Sequence, residues 1–262
     1  MRFLLTLFVV SVFLMPMQSA ADPTDTLSQI KETGKVRIGY RENQPPMSFI
    51  DQNGRPAGYS IDLCERIVNE TKNTLGNPDI AIEYVPVSSA NRFDALVDNK
   101  IDILCGATTK TISRGKLVDF TALTFVTGAS LLSLKDKGIS GISALQGMKV
   151  GVAKGTTTRD ILEEKLKEAV SDAQVVTFDS TTEGMQALVD GKIDAFSADQ
   201  VVLIGLILTH EGDQEFGIAS DIFSFEPFAL AVRRNDADFR LIADSVLAQL
   251  YRWRATGALL LR

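Results

Sequence analysis

An eight-residue segment occurs twice in this 262-residue chain. Residues 95–102 read ALVDNKID and residues 187–194 read ALVDGKID, so that seven of the eight positions are identical. A looser pair, GKVRIG at residues 34–39 and GMKVGV at residues 147–152, lies upstream of each copy. A period near 100 residues is too long for a solenoid. It predicts an α/β fold with two similar lobes, each alternating strands and helices around a mostly parallel sheet.

Residues 1–21 have the pattern of a secretory signal peptide. Arg2 precedes an apolar run over residues 3–15, and the small residues at 19–21 form a plausible cleavage site before Asp22. The run is too short to span a bilayer comfortably, although an uncleaved membrane anchor is the alternative. No later segment is apolar enough to span. The pattern therefore predicts an exported, soluble protein.

Net charge and cysteine content limit which kinds of protein this chain can be. Without residues 1–21 the chain has 26 basic and 33 acidic residues, a formal charge of −7, and no basic cluster typical of a nucleic-acid-binding protein. The two cysteines, Cys64 and Cys105, favour a disulfide in an oxidising compartment, with two buried free thiols as the alternative. With one histidine, His210, and no CxxC motif, we predict no metal site and no cofactor.

Hydroxyls and charges follow the predicted strands in both halves of the chain. Ligands of open α/β sheets bind beyond the carboxyl ends of the strands, so these residues predict one site shared by two facing lobes. The candidates are Arg41, Ser89, Arg92, Ala107, Thr109, Arg114, Thr156, Thr157 and Asp199.

The residue types suit an α-amino acid. Arg114 offers a planar fork of donors for a carboxylate, helped by Thr109, and a helix beginning after Thr156 and Thr157 favours anions. Asp199 would take an ammonium group. Taken singly, these threonines are typical turn formers or N-caps and the charges are typical solvated ones. Only their joint placement in a repeated framework favours a binding site.

An ordered set of motifs between residues 27 and 251 resembles the periplasmic solute-binding proteins of the polar amino acid ABC-transporter family. The motifs are GKVRIG at 34–39, PMSF at 46–49, GYSIDL at 58–63, NR at 91–92, GATT at 106–109, Arg114, VDFT at 118–121, GTT at 155–157 and Asp199. The resemblance implies a type II two-lobed fold with a two-strand hinge and a ligand cleft between the lobes. Lobe 1 would comprise residues 22–122 plus 226–262 and lobe 2 residues 123–225, with crossings near residues 121–125 and 224–228.

The same resemblance implies roles for the site residues. The carboxylate clamp falls on Arg114, with Thr109, the Ala107 backbone, Thr156 and Thr157, and the ammonium site falls on Asp199. The glutamate/aspartate branch is the most similar. There, Arg41 together with Ser89 and Arg92 would hold the side chain of the ligand, which agrees with the surplus positive charge at those positions.

The chain departs from the family pattern at three places. Ala107 occupies a serine position and Thr181 a histidine position, which leaves glutamate, aspartate and a neutral relative as alternative ligands. From Trp253 the tail departs from the expected closing helix, and we expect a truncated or frameshifted end.

The predicted function is ligand binding without catalysis, by a monomer that closes on an amino acid and is recognised by a membrane permease. One alternative is a dehydratase acting on arogenate or prephenate, for which Glu42 is the nominated general acid. The other is a binding protein that serves a receptor as a sensor.

Overall fold

The computed structural model describes residues 25–252, so the predicted signal peptide, its cleavage site and the tail from Trp253 lie outside the described residues. The helices are α1 (Thr26–Thr33), α2 (Tyr59–Leu75), α3 (Arg92–Val97), α4 (Thr157–Glu168), α5 (Thr181–Val189), α6 (Gln200–Thr209) and α7 (Ala237–Arg252). The strands are β1 (Lys35–Tyr40), β2 (Asn43–Gln44), β3 (Ser48–Ile50), β4 (Pro56–Ala57), β5 (Ala81–Pro86), β6 (Ile103–Cys105), β7 (Val118–Thr127), β8 (Ala129–Leu134), β9 (Lys149–Ala153), β10 (Gln174–Phe178), β11 (Ala195–Asp199), β12 (Phe216–Ile218) and β13 (Glu226–Arg233). None of the helices within this range is both long and apolar enough to cross a membrane.

Two five-stranded sheets have the same architecture. The first has the order β5-β1-β6-β13-β7 and the second β10-β9-β11-β8-β12. In each, three strands are mutually parallel and the other two are antiparallel to their neighbours. We call the unit around the first sheet lobe 1 and the unit around the second lobe 2. The predicted two-lobed α/β fold is confirmed.

The repeated segment forms the same helix-to-strand turn in both lobes. Its one variable position, Asn99 in lobe 1 and Gly191 in lobe 2, has a left-handed backbone with φ of 56° and 67°. Glycine adopts this conformation freely, and asparagine tolerates it better than most residues. The next amide, of Lys100 or Lys192, donates to the first carbonyl of the segment at 2.8 and 2.9 Å. The substitution therefore preserves the turn.

The aspartate that ends the segment ties the following strand to its neighbour. The Asp102 amide donates to the Arg37 carbonyl at 2.8 Å, and the Arg37 amide donates to the Asp102 carboxylate at 2.7 Å. Asp194 makes the equivalent pair with Lys149, at 2.8 and 2.9 Å. This exchange sets the register of β6 against β1 and of β11 against β9, which explains why the repeat continues through Ile-Asp.

The lobes are joined through the paired strands β7 and β13. These strands pair from Val118 opposite Arg233 to Thr127 opposite Glu226, with register shifts between Phe228 and Ala231. The chain passes into the second sheet after β7 and returns at β13. The predicted crossings at residues 121–125 and 224–228 lie on or next to this pair, and the exact lobe boundaries stay a prediction.

A disulfide joins α2 to the end of β6 in lobe 1. Cys64 and Cys105 are bonded, with their Cα atoms 6.4 Å apart, and both residues are fully buried. The predicted disulfide is confirmed, and the alternative of two free thiols is wrong. Closing a loop with a separation of 41 residues contributes about 4 kcal/mol in the chain-entropy description.

Candidate functional site

The carboxyl ends of the parallel strands of both lobes face one cleft, and the lobes contact each other around it. The Arg92 guanidinium, in lobe 1, donates from Nη2 to the Gly155 carbonyl in lobe 2 at 3.2 Å. The hydroxyl oxygens of Thr109 and Thr157 lie 3.4 Å apart across the cleft. On another side, Thr181 of lobe 2 donates its hydroxyl to the Asn43 carbonyl of lobe 1.

Two glycines let the lobes approach backbone to backbone. A Cβ atom at Gly155, whose φ is +68°, would lie 2.8 Å from the carbonyl oxygen of Ser89. A Cβ at Gly205, on α6, would lie 2.1 Å from the carbonyl oxygen of Pro45. Real Cβ atoms do not come this close to backbone oxygens, so any side chain at either position would separate the lobes.

Three arginines project toward the cleft from lobe 1. Arg41 follows β1 and is 3% exposed, and Arg92 begins α3 and is 2% exposed. The exchange of two hydrogen bonds between the Arg41 backbone and the Ser48 hydroxyl, at 2.8 and 3.0 Å, positions Arg41. Arg92 also donates from Nη1 to the Ser89 carbonyl. Arg114 is half-buried in a 3₁₀ turn and donates from Nη1 to the Thr109 carbonyl at 2.8 Å.

The positive charges of these buried and half-buried arginines are poorly compensated by negative charges nearby. Among residues 25–252, none of the three forms an ion pair with a carboxylate. Desolvation lowers the pKa of Arg41 to about 10. Desolvation and then the charges of Arg114 and Arg41 hold the pKa of Arg92 well below its usual value. Guanidinium groups stay charged in proteins, so an anion placed among them would be favourable.

The ring of Phe93 supports two of these cations. The Arg92 Cζ atom lies 4.7 Å from the ring centroid, and the Arg114 Cζ atom lies 5.3 Å from it. Cation–π contacts of this kind hold a guanidinium in place without neutralising its charge. The fork of Arg114 therefore keeps its capacity for a carboxylate.

Asp199 faces the arginines from lobe 2. It occupies the N-cap position of α6 but makes no capping hydrogen bond with its side chain, and its buried Oδ1 atom has no hydrogen-bond partner among the described residues. Desolvation and then the nearby Glu226 carboxylate raise the pKa of Asp199 to about 7, although Arg114 and Arg92 oppose the shift. An ammonium group beside Asp199 would favour its ionised form.

The predicted threonine hydroxyls divide into two groups. Thr109 and Thr157 both donate to Oε2 of Glu226, at 2.5 and 2.8 Å. Thr156 caps α4 instead, where its Oγ1 accepts from the Arg159 amide at 3.2 Å and donates to the Ala153 carbonyl at 2.8 Å. The side chain of Thr156 is therefore used within its own helix terminus.

Other polar groups of the site were missed by the sequence analysis. Glu226 is fully buried and lies 117 residues from Thr109 in the chain, so no local pattern indicates it. The structure also points to further polar groups, because several buried side-chain atoms have no hydrogen-bond partner in the described part of the chain. These atoms are Asn43 Oδ1, Gln44 Oε1, Ser89 Oγ, Arg92 Nε, Thr108 Oγ1, Asp199 Oδ1 and Arg233 Nε. All except Arg233 lie within six residues of the carboxyl end of β1, β5, β6 or β11. Asn43 and Gln44 could have been suggested by their closeness to Arg41. Ala107 is buried and has only backbone groups to offer.

Known proteins are similar to this chain over most of its length. Residues 36–255 match the model of the bacterial extracellular solute-binding proteins, family 3. An L-glutamate/L-aspartate-binding protein of Pseudomonas aeruginosa is 30% identical over 95% of this chain and 82% of its own length. A glutamate/aspartate import solute-binding protein of Escherichia coli is 28% identical over 86% of this chain and 74% of its own length.

Solved structures show the same fold. A mutant of the protein ArgBP from T. maritima superposes with a TM-score of 0.78 at 26% identity, covering 89% of this chain and 96% of its own. An ancestral amino acid-binding protein, described as a precursor of cyclohexadienyl dehydratase, superposes with a TM-score of 0.75 at 28% identity, covering 90% of this chain and 97% of its own. The two lobes, the strand-end cleft and the match over most of the sequence lead to one conclusion: the chain belongs to the bacterial extracellular solute-binding proteins, family 3.

Proposed function

We propose that this protein is the extracytoplasmic binding component of an ABC amino-acid importer, that it holds glutamate or aspartate between its lobes, and that it delivers the ligand to a membrane permease. One observation carries the proposal: three desolvated arginines without carboxylate partners, within the described residues, face an aspartate whose Oδ1 is also unpartnered. An acidic amino acid has two carboxylates and one ammonium group, and so complements this arrangement.

Each charged group of the ligand has a partner in this proposal. Arg114 holds the α-carboxylate through its planar fork, with the backbone at Ala107 and with Thr109 and Thr157 beside it. Asp199 holds the ammonium group. Arg41 and Arg92, with Ser89, hold the side-chain carboxylate. The unpartnered Ser89 Oγ and Arg92 Nε atoms support this last assignment, because buried polar atoms normally have hydrogen bonds.

The relatives support the proposed role in transport and the proposed location. The relative from Escherichia coli is a glutamate/aspartate import solute-binding protein, and the first 21 residues have the pattern of a signal peptide. We infer that the protein works in the periplasm as a monomer. Rotation of the lobes about β7 and β13 would enclose the ligand, since Arg114 and Asp199 reach it from opposite lobes.

Titration calorimetry on residues 22–262 tests the ligand. We expect tight binding of L-glutamate or L-aspartate and much weaker binding of L-glutamine and L-arginine. In an Arg41→Met variant, the dissociation constant for glutamate should rise roughly 10- to 100-fold, because a charge-assisted hydrogen bond is lost. Arg159→Met is the matched control, since Arg159 pairs with Glu163 on the surface of α4.

Other outcomes would contradict parts of the proposal. A preference for a neutral or basic amino acid would contradict the proposal that Arg41 and Arg92 hold the side-chain carboxylate of the ligand. An unchanged affinity of the Arg114→Ala variant for amino acids would contradict the proposal that Arg114 holds the α-carboxylate. For the enzyme alternative, the nominated acid Glu42 is exposed at the rim of the cleft, which favours binding over catalysis, and turnover of prephenate would reverse this conclusion.

A further inference from the structure

Glu226, the first residue of β13, is the acceptor of three hydroxyl groups although it is fully buried. Its Oε1 accepts from Ser224 at 2.8 Å. Its Oε2 accepts from both Thr109 and Thr157, at 2.5 and 2.8 Å. A buried carboxylate is costly unless it is well bonded, so these three hydroxyls stabilise it where it lies.

The three donors come from different parts of the fold. Thr109 follows β6 in lobe 1, Thr157 begins α4 in lobe 2, and Ser224 precedes β13 on the connection between the lobes. One oxygen atom of Glu226 thus receives one hydroxyl from each lobe. The resulting contact between lobes is made by protein atoms alone.

We propose that Glu226 is the positioning residue of the cleft, which orients Thr109 and Thr157 and ties the two lobes together through their shared acceptor oxygen. This role lies in the cleft of the proposed function but does not depend on which ligand binds there.

Glu226 also affects how the cleft binds a ligand carboxylate. Each threonine hydroxyl has a single proton, so Glu226 and a ligand carboxylate compete for the same two donors. The guanidinium of Arg114 has several donors and forms no ion pair with Glu226, although it lies within the electrostatic influence of that carboxylate. Arg114 is therefore the principal carboxylate holder, and the two threonines act mainly in closure.

The test measures closure by energy transfer between two dyes. Cysteines introduced by Asn53→Cys in lobe 1 and Glu211→Cys in lobe 2 are suitable label sites, because both residues are exposed and line the same groove between the lobes. The native cysteines do not interfere, since they are fully buried and bonded to each other.

The variants are Glu226→Gln, Thr157→Val and their combination, each measured without amino acid. We expect the ratio of closed to open molecules to fall roughly tenfold in each single variant, as for the loss of a hydrogen bond to a charged group. The double variant should open no further than Thr157→Val alone, because Glu226→Gln weakens, by loss of the negative charge, the same contact that Thr157→Val removes. Glu42→Gln, which removes an exposed acid at the cleft rim, should leave the ratio unchanged.

Three results would overturn the proposal. The first is that the wild-type lobes stay apart until an amino acid is added. The second is that the single variants have the same ratio of closed to open molecules as the wild type. The third is that the effects of the two single variants on this ratio add fully in the double variant. Thr157 is only half-buried, so its valine variant keeps the test valid if Glu226→Gln does not fold. Adding glutamate afterwards tests the two proposals separately. If the variants open the lobes as expected but glutamate does not change the ratio of closed to open molecules, the proposed ligand is contradicted and the role of Glu226 is retained.

Discussion

The raised pKa of Asp199 predicts that acid weakens binding of amino acids. At pH 8 the side chain is mostly ionised and ready for an ammonium group, whereas at pH 5 it is mostly protonated, because its pKa is about 7. The ammonium group of a bound ligand favours the ionised form and lowers the pKa in the complex. Between about pH 5 and 7 the complex therefore holds fewer protons than the free protein, and the affinity falls as the pH falls.

The size of the effect follows from the shift. If the pKa of Asp199 in the complex lies well below 5, the dissociation constant for glutamate rises roughly 100-fold between pH 8 and pH 5. At pH 6 the binding of one ligand should release about 0.9 proton, since most of the free protein is protonated at Asp199.

Titration calorimetry from pH 5 to 8.5, in two buffers of different ionisation enthalpy, measures both quantities. Asp199→Asn should bind more weakly and lose this pH dependence. The Glu42→Gln and His210→Gln variants should keep the pH dependence. Glu42 is exposed, and His210, next to the cleft rim, is hydrogen-bonded to Gln214. A constant dissociation constant over this range, or uptake of protons on binding, would refute the assigned role of Asp199.

Two further predictions concern the scaffold. Replacing Cys64 and Cys105 with alanine should lower the free energy of unfolding by about 4 kcal/mol, measured by urea denaturation against the oxidised protein; an unchanged midpoint would contradict a stabilising disulfide. Gly205→Ala should weaken glutamate binding without lowering the melting temperature of the lobes, because the added Cβ meets a backbone carbonyl oxygen of lobe 1 at 2.1 Å. Ile204→Ala, a change at an exposed neighbour on the same helix, is the control, and equal affinities in the two variants would show that the close approach is not needed.

Much of the fold could be predicted because it rests on local patterns that occur twice. The turn at Asn99 and Gly191 depends on residues that tolerate a left-handed backbone. The Ile-Asp pairs that follow it enter equivalent strands of the two sheets. The disulfide also follows from the sequence, since a chain with only two cysteines has one possible intramolecular pairing.

The candidate site was only partly predictable. The positions of Arg41, Arg92, Arg114 and Asp199 follow from the rule that the carboxyl ends of parallel strands share one edge. Their burial does not, because a pattern of charges does not distinguish a solvated arginine from one enclosed between lobes. Thr156 and Thr157 are adjacent in sequence, yet one caps α4 and the other reaches Glu226. The residue at which the helix begins decides this difference.

By itself, the sequence determined the two similar lobes, the pairing of Cys64 with Cys105, and the strand ends where charged residues collect. These features depend on backbone preferences and on hydrophobic periodicity within short segments. Only the tertiary structure decided that Glu226 accepts hydroxyls from both lobes and that Gly205 meets the backbone of the other lobe. Such contacts join segments 69 or more residues apart in the chain, and they exist only once the lobes have folded and come together.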